Sequence, residues 1–413
     1  MKNNSKFLHL ALQLAWRGYG ATSPNPMVGA VLVKGGRIIG RGWHRRAGLP
    51  HAEIEALSAA RKHGHNPRGA TLYVTLEPCC TQGRTPPCTD ALVAAGVKHV
   101  VVGAIDPNPS HSGRAFKILK RADIKVDWWG EPNREPENKS KHSSAAARPR
   151  RMLAAECARL NEAFNHWIVY RTPFVTIKAA MTLDGKIATA GGESKWITGE
   201  AARAYAMQLR RGVDAVLVGL NTVLADNPSL TARVKTANGK WRMTKPVRRI
   251  ILDAMARTPL DAEVVSDEFA TATTIVASKR APRSRVAALA KRVNVVFAPL
   301  AKSATGNSAL ARARDKSLCR QPAIDLSWLL KKLGSENITS LLVEGGGEVN
   351  GSFLLGGFAQ RVVFFYAPKI LGGRDARKGV AGEGAESITD SLRLQEVEWK
   401  RFGADLMLSA RVA

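Results

Sequence analysis

Leu72-Tyr73-Val74-Thr75-Leu76-Glu77-Pro78-Cys79 begins as five strand-forming residues and closes on a proline and a thiol. His51-Ala52-Glu53 precedes it, and Pro87-Cys88 follows after a short Pro/Gly-rich loop. The periodicity predicts a strand over Leu72–Leu76 and helices over Ala52–Lys62 and Asp90–Gly96. Val28–Val33 and Arg37–Gly42 predict a hairpin turned at Gly35-Gly36. His99–Ile105, apolar and β-branched, predicts another strand. Strands alternating with helices define an α/β layer architecture. His51 and Glu53 then open one helix, and Cys79 and Cys88 flank the loop before the next. A helix N-terminus favours the thiolate that a metal needs.

One imidazole and two thiolates can hold zinc with three ligands, leaving the fourth position for water, as in a catalytic site. Glu53, two residues past His51, can shuttle protons without ligating. H-x-E, then P-C, then C is the zinc-deaminase signature. Taken singly, His51 reads as a helix-surface histidine and either cysteine as a buried apolar thiol. Cys80 is set aside as a ligand because the motif places the cysteine directly after Pro78. His44, His63 and His65 read as surface or packing residues rather than as metal ligands. Zinc would lower the pKa of bound water to about 7, and Glu53 would carry the proton to the leaving ammonia.

Composition bounds the rest. At 413 residues with 45% apolar content, the chain has room for two domains with a core each. Five unevenly spread cysteines oppose a disulfide scaffold and point to a reducing compartment. No apolar run approaches the roughly 18 residues of a membrane span, so the expected location is cytoplasmic. The net charge of +28 would attract nucleic acid or phosphorylated metabolites. The basic residues are scattered, with no aromatic-interleaved stripe, so nucleic acid is not expected as a partner. Composition shifts over Gly130–Arg151, which reads as a linker. This divides the chain into 1–129, a 130–151 linker, and 152–413. Leu153–Phe164 resumes as a helix. Strands follow near Phe174–Ala179, Ala215–Gly219, Arg249–Leu252, Thr273–Ala277, Val293–Phe297, Ser340–Val343 and Arg361–Tyr366, and Lys302–Arg320 reads as a loop. Glu344-Gly345-Gly346-Gly347 stands between a strand and a helix through Leu355, where backbone N–H groups can approach a phosphate. Lys178 ends an apolar strand, where an uncompensated ammonium is costly.

Eight residues separate Cys79 from Cys88, whereas nucleic-acid and free-cytidine deaminases commonly carry P-C-x-x-C. Here the chain resembles the bifunctional riboflavin-biosynthesis deaminase/reductases. The matching segments are Ser23–Gly29, His51–Glu53, Leu76–Cys80, Gly83–Cys88, Thr182–Lys186, Ser194–Thr198, Asp226–Thr231 and Val343–Gly347. They run in order through nearly the whole chain. The resemblance implies a cytidine-deaminase-like three-layer α/β/α domain followed by a dihydrofolate-reductase-like α/β domain. It implies zinc-dependent deamination of a diaminopyrimidinone ribosylamino 5′-phosphate, then NADPH-dependent reduction of its ribosyl group to a ribityl chain. Asn25, His44, Arg84 and Thr85 would contact substrate in the first site. Ser194, Arg210, Leu230, Arg233 and Glu344 would do so in the second. Ala180, Trp196, Thr222, Asp226 and the run Gly345, Gly346, Gly347, Glu348, Val349, Asn350, Gly351 and Ser352 would bind NADPH. Lys178, Asp226 and Glu344 are candidate acids for the reduction. A homo-oligomer, dimer or tetramer, is also implied. One departure stands out: the family usually has a histidine just after the residue at Cys80, and this chain has Thr81-Gln82. Thr81 replaces that histidine's hydrogen bond but not its charge. The competing reading, a nucleic-acid or nucleoside deaminase with an accessory domain, rests on the +28 charge. The long Cys79–Cys88 loop and the whole second half oppose it.

Overall fold

A computed structural model describes residues 5–83, 86–130, 147–235, 241–301 and 323–413. The chain forms two compact units, Met1–Arg171 and Thr172–Ala413. In the first, β1 (Gly29–Lys34), β2 (Arg37–Trp43), β3 (Thr71–Leu76), β4 (His99–Ala104) and β5 (Lys125–Trp128) form one sheet in the order β2-β1-β3-β4-β5. β1 is antiparallel to both neighbours, whereas β3, β4 and β5 run parallel. The β1–β2 turn sets Gly35 and Gly36 at φ +55° and +75°, the paired left-handed geometry that a tight hairpin requires.

Alternation along the strands sorts the core into two layers. Val31, Tyr73 and Val101 face the helices Ser5–Ala15 and Ala147–Leu160. Leu32, Leu72, Val74 and Val102 face Ala52–Lys62, Cys88–Ala94 and Arg114–Arg121. This is the expected three-layer α/β/α arrangement. Each fully buried leucine contributes about 2 kcal/mol of apolar burial. The predicted Leu153–Phe164 helix is two helices, Ala147–Leu160 and Glu162–Tyr170. Asn161 interrupts them because its side chain bonds both the N–H and the C=O of Met27, at 2.8 and 2.9 Å. Residues 152–171, expected to open the second domain, lie in the first unit: Ala154, Cys157 and Leu160 pack into its core. Most of the expected linker (131–146) and the Lys302–Arg320 loop lie outside the described residues.

The second unit holds a nine-stranded sheet, β13-β12-β11-β8-β14-β6-β15-β18-β17. Its strands are β6 (Phe174–Thr182), β8 (Ala215–Gly219), β11 (Arg248–Leu252), β12 (Thr273–Ser278), β13 (Asn294–Ala298), β14 (Ser340–Val343), β15 (Arg361–Ala367), β17 (Leu394–Phe402) and β18 (Asp405–Val412). β7 (Lys186–Ala188) and β16 (Arg377–Lys378) pair separately, as do β9 (Ala232–Lys235) and β10 (Trp241–Lys245). The seven strands from β13 to β15 are parallel, and β18 and β17 extend the sheet antiparallel. β8, β14 and β6 are neighbours, so their carboxyl ends lie side by side. That edge is where α/β sheets place ligands.

Candidate active sites

His51 is the N-cap of the helix Ala52–Lys62, and Glu53 lies in its first turn. Cys79 follows β3, and Cys88 opens the helix Cys88–Ala94. His51 Nδ1 stands 3.4 Å from the Sγ atoms of both Cys79 and Cys88. The three ligand atoms lie within 4.8 Å of one another. Tetrahedral zinc with ligands at about 2.0–2.3 Å spaces them roughly 3.5–3.8 Å apart, so the donor set fits that ion. Among the described residues no other group of three or more His, Cys, Asp or Glu gathers in this way, and Cys80 is not part of it.

The Cys88 N–H donates to Cys79 Sγ at 3.3 Å, and the Thr89 N–H to the Cys79 carbonyl at 3.2 Å. Hydrogen bonding from Cys88, with His51 also contributing, holds the Cys79 thiol at about 4, although burial opposes this. The bond to Cys79 pushes the Cys88 thiol up, and burial adds to it. Glu53 is 3% exposed, and burial, then the charge on Cys79, raises its carboxyl to about 7. A carboxyl near neutrality can both accept and release a proton.

Asn25 and His44 are brought together beside this cluster. The Asn25 amide nitrogen lies 3.2 Å from His44 Nε2, and His44 Nδ1 lies 3.1 Å from the Pro50 carbonyl. A carbonyl only accepts, so Nδ1 carries the proton and Nε2 accepts from Asn25. Burial lowers the pKa of His44, keeping it neutral, and its ring meets that of His51 edge-on at 5.2 Å. Arg84 and Thr85 lie outside the described residues.

In the second unit two polar clusters form. Glu344, just past β14, takes a bidentate fork from Arg210, with Nε–Oε1 at 2.7 Å and Nη2–Oε2 at 2.9 Å. Lys178 Nζ stands 3.6 Å from Glu344 Oε2. Burial opposes the Glu344 charge, but Arg210 and Lys178 hold its carboxyl at about 2. Arg210 also reaches the Thr231 carbonyl at 3.3 Å, and Arg233 bonds Thr231 Oγ1 at 2.7 Å and Ser229 Oγ. Buried Leu230, between these partners, sits at φ +50°. This left-handed conformation is costly for a branched residue and persists only where its surroundings enforce it. Lys178 does not end its strand as expected; β6 continues to Thr182, so the lysine is a mid-strand residue opposite Val363. In the other cluster Ser194 Oγ donates to Asp226 Oδ1 at 2.7 Å, and Lys195 Nζ to the Asp226 carbonyl at 3.1 Å. Asp226 closes the short helix Leu220–Asp226, which also carries half-buried Thr222. Half-buried Ala180 lies on β6, two residues past Lys178. Trp196 is 66% exposed, with the Arg203 guanidinium 4.6 Å from its ring centre.

The glycine run divides. Gly346 caps the helix Gly347–Leu355, and a side chain there would meet nothing. A Cβ on Gly347 would lie 2.3 Å from the Lys378 carbonyl oxygen, and one on Gly351 1.8 Å from that of Ala381. These two glycines are small because the segment 378–381 lies on the helix. Asn350 is fully buried there too, donating to the Gly379 carbonyl at 2.8 Å, while its Oδ1 has no partner. Gly345 packs against Val349, and Glu348 and Ser352 are exposed. Open backbone at Gly346 above a helix N-terminus suits the dinucleotide phosphate of NADPH.

A His/Cys/Cys triangle that fits zinc, with a buried glutamate beside it on a three-layer α/β/α unit, is the arrangement of a zinc-binding deaminase, here followed by a second α/β unit. The family model "Cytidine and deoxycytidylate deaminase zinc-binding region" matches residues 1–104, and "RibD C-terminal domain" matches 173–408. The RibD riboflavin biosynthesis protein of Aquifex aeolicus is 40% identical over 98% of this chain and 97% of its own. That of Actinobacillus pleuropneumoniae is 38% identical over 97% and 93%. The Acinetobacter baumannii RibD structure matches with a TM-score of 0.77 at 32% identity, covering 100% of this chain and 99% of that one. A diaminohydroxyphosphoribosylaminopyrimidine deaminase/5-amino-6-(5-phosphoribosylamino)uracil reductase from Thermotoga maritima matches at 0.76 and 33%, with the same coverage. The chain belongs to the RibD family of riboflavin-biosynthesis deaminase/reductases.

Sequence reasoning missed Glu77, Asp106 and His111 near the metal cluster. No helix among the described residues is long and apolar enough to cross a membrane.

Proposed function

We propose that the first unit hydrolytically removes the 2-amino group of a diaminopyrimidinone ribosylamino 5′-phosphate, and that the second reduces the ribosyl group of the product with NADPH. The observation that carries this is the His51/Cys79/Cys88 triangle with Glu53 buried beside it. Zinc held by His51, Cys79 and Cys88 would supply Lewis acidity that acidifies water near neutral pH. Glu53 takes the water proton and returns it to the departing amine. Asn25 and neutral His44 orient the ring, with Arg84 and Thr85 assigned to substrate from the sequence. Removing zinc with a chelator is expected to abolish ammonia release while NADPH oxidation on the deaminated compound continues. Loss of both on chelation would contradict two independent sites.

For the reduction, NADPH supplies the hydride. We place its phosphates at Gly346 and the helix behind it, with Ala180, Trp196, Thr222 and the remainder of Gly345–Ser352 shaping that site. Ser194, Leu230, Arg233 and Arg210 bind substrate, Arg233 as a cation for its phosphate, while the fork of Arg210 is held by Glu344. The sugar must open to an imine before accepting hydride. Lys178 can hold a proton at the departing ring oxygen, with Glu344 orienting the ammonium. Asp226 orders Ser194 and the cofactor edge. Asp226→Ala is expected to abolish NADPH-dependent reduction while deamination continues; reduction at wild-type rate would remove this role. We infer a cytoplasmic homo-oligomer that joins through the outer strand β17. Leu394, Val397 and Trp399 are exposed on that strand, and the last strand of a sheet invites pairing or cover.

A further inference from the structure

The loop that carries both thiol ligands is bonded to a second loop, Asp106–Gly113, in the same unit. Glu77, two residues before Cys79, anchors that second loop. Its Oε2 accepts from the backbone N–H groups of Asp106 (3.3 Å) and Gly113 (2.9 Å), and its Oε1 from Ala115 (3.1 Å). Within the anchored loop, His111 Nδ1 lies 3.1 Å from Asp106 Oδ2, and His111 Nε2 lies 2.7 Å from Thr81 Oγ1. The Asp106 side chain is 8% exposed and that of His111 15%. Asp106 Oδ1 accepts in turn from the Asn108 N–H at 2.9 Å.

Proton positions follow from donor and acceptor chemistry. A buried carboxylate only accepts, so His111 Nδ1 carries a proton. A neutral ring then accepts the Thr81 hydroxyl proton at Nε2. A ring that carries a proton on Nε2 as well donates to Thr81 instead and leaves the Thr81 O–H free to donate outward. In that state the hydroxyl presents an anion with a donor backed by a cation, a charge-assisted arrangement. Glu77 already anchors the loop through three backbone bonds, so holding the loop does not require an Asp–His pair aimed at Thr81.

We propose that His111, seated on Asp106, positions the Thr81 hydroxyl as a donor to the phosphate of the deaminase substrate. This rests on the deaminase reading above.

The test measures ammonia release by the full-length zinc enzyme from the phosphorylated substrate and from its dephosphorylated counterpart, with inorganic phosphate as a competitor. In His111→Ala, KM for the phosphorylated substrate is expected to rise about 10-fold, as for loss of one charge-assisted hydrogen bond. The rate constant kcat should stay within about twofold, KM for the dephosphorylated compound should not move, and inhibition by inorganic phosphate should weaken. Adding Thr81→His to His111→Ala should recover most of the lost affinity. Equal losses on both substrates, a fall in kcat alone, or no change in KM would each overturn the proposal and leave the tie as loop structure. If His111→Ala does not retain zinc, Thr81→Val cuts the same bond, and the same split in KM decides. A wild-type enzyme that releases no ammonia from either compound would overturn the deaminase reading, and the proposal with it.

Discussion

Glu53→Gln will release ammonia roughly 10²–10⁴-fold more slowly than the wild type, the usual contribution of a positioned general acid–base group. The amide keeps the volume and hydrogen-bonding shape of the carboxyl but cannot accept and return a proton. Glu53 lies outside the metal cluster formed by His51, Cys79 and Cys88, so the variant should bind one equivalent of zinc. It should also oxidise NADPH at the wild-type rate when given the deaminated intermediate. Burial and the Cys79 charge raise this carboxyl to about 7. The group is therefore poised between its two forms near neutral pH. Ammonia assay, metal analysis and NADPH oxidation on one preparation check the three expectations. A variant within threefold of the wild type would move the proton shuttle to another group.

Glu344→Ala will destabilise the second unit by about 3–5 kcal/mol and abolish reduction, because it leaves two cations without their shared partner in a buried site. Arg210 and Lys178 both rely on this carboxylate, and their side chains are only 13% and 16% exposed. The wild-type pH dependence carries the same information. Glu344 is held at about 2 when folded, against 4.5 as its ordinary value. A depressed carboxyl contributes stability that is present above pH 4.5 and lost as the pH falls through 4.5 towards 2. The contribution at neutral pH is about 3 kcal/mol. Denaturant unfolding from pH 7 to pH 3 should show this loss, and the variant should lack that part of it. Equal acid sensitivity in wild type and variant would mean that Glu344 is not the linked group.

The local patterns read well where one element explains itself. The Gly35-Gly36 hairpin, the Ala52–Lys62 helix and the Ala215–Gly219 and Ser340–Val343 strands each carry a period and a boundary residue. β17 and β18 went unread: β17 is exposed along nearly its whole length, and its apolar alternation covers only Val397 and Trp399. Its strand character comes from pairing with β18 across the sheet. Asn161 divides a continuous helical pattern because it bonds Met27, 134 residues away, a contact no local period encodes. Lys178 looked like a strand end because a lysine inside an apolar run is costly. Glu344 offsets that cost from a different part of the chain.

By itself the sequence determined the α/β class and the family, and it singled out His51, Cys79 and Cys88 as the candidate zinc ligands with Glu53 beside them. Those depend on residue type at short spacing, which chemistry constrains directly. Only the tertiary structure decided that Arg210 and Lys178 share one carboxylate. It likewise decided that Gly347 and Gly351 are small because of the strap at 378–381, and that an imidazole from a second loop reaches Thr81. Each of these joins residues far apart in the chain, and burial makes the meeting consequential: a polar group removed from water must find its partner wherever the fold supplies one.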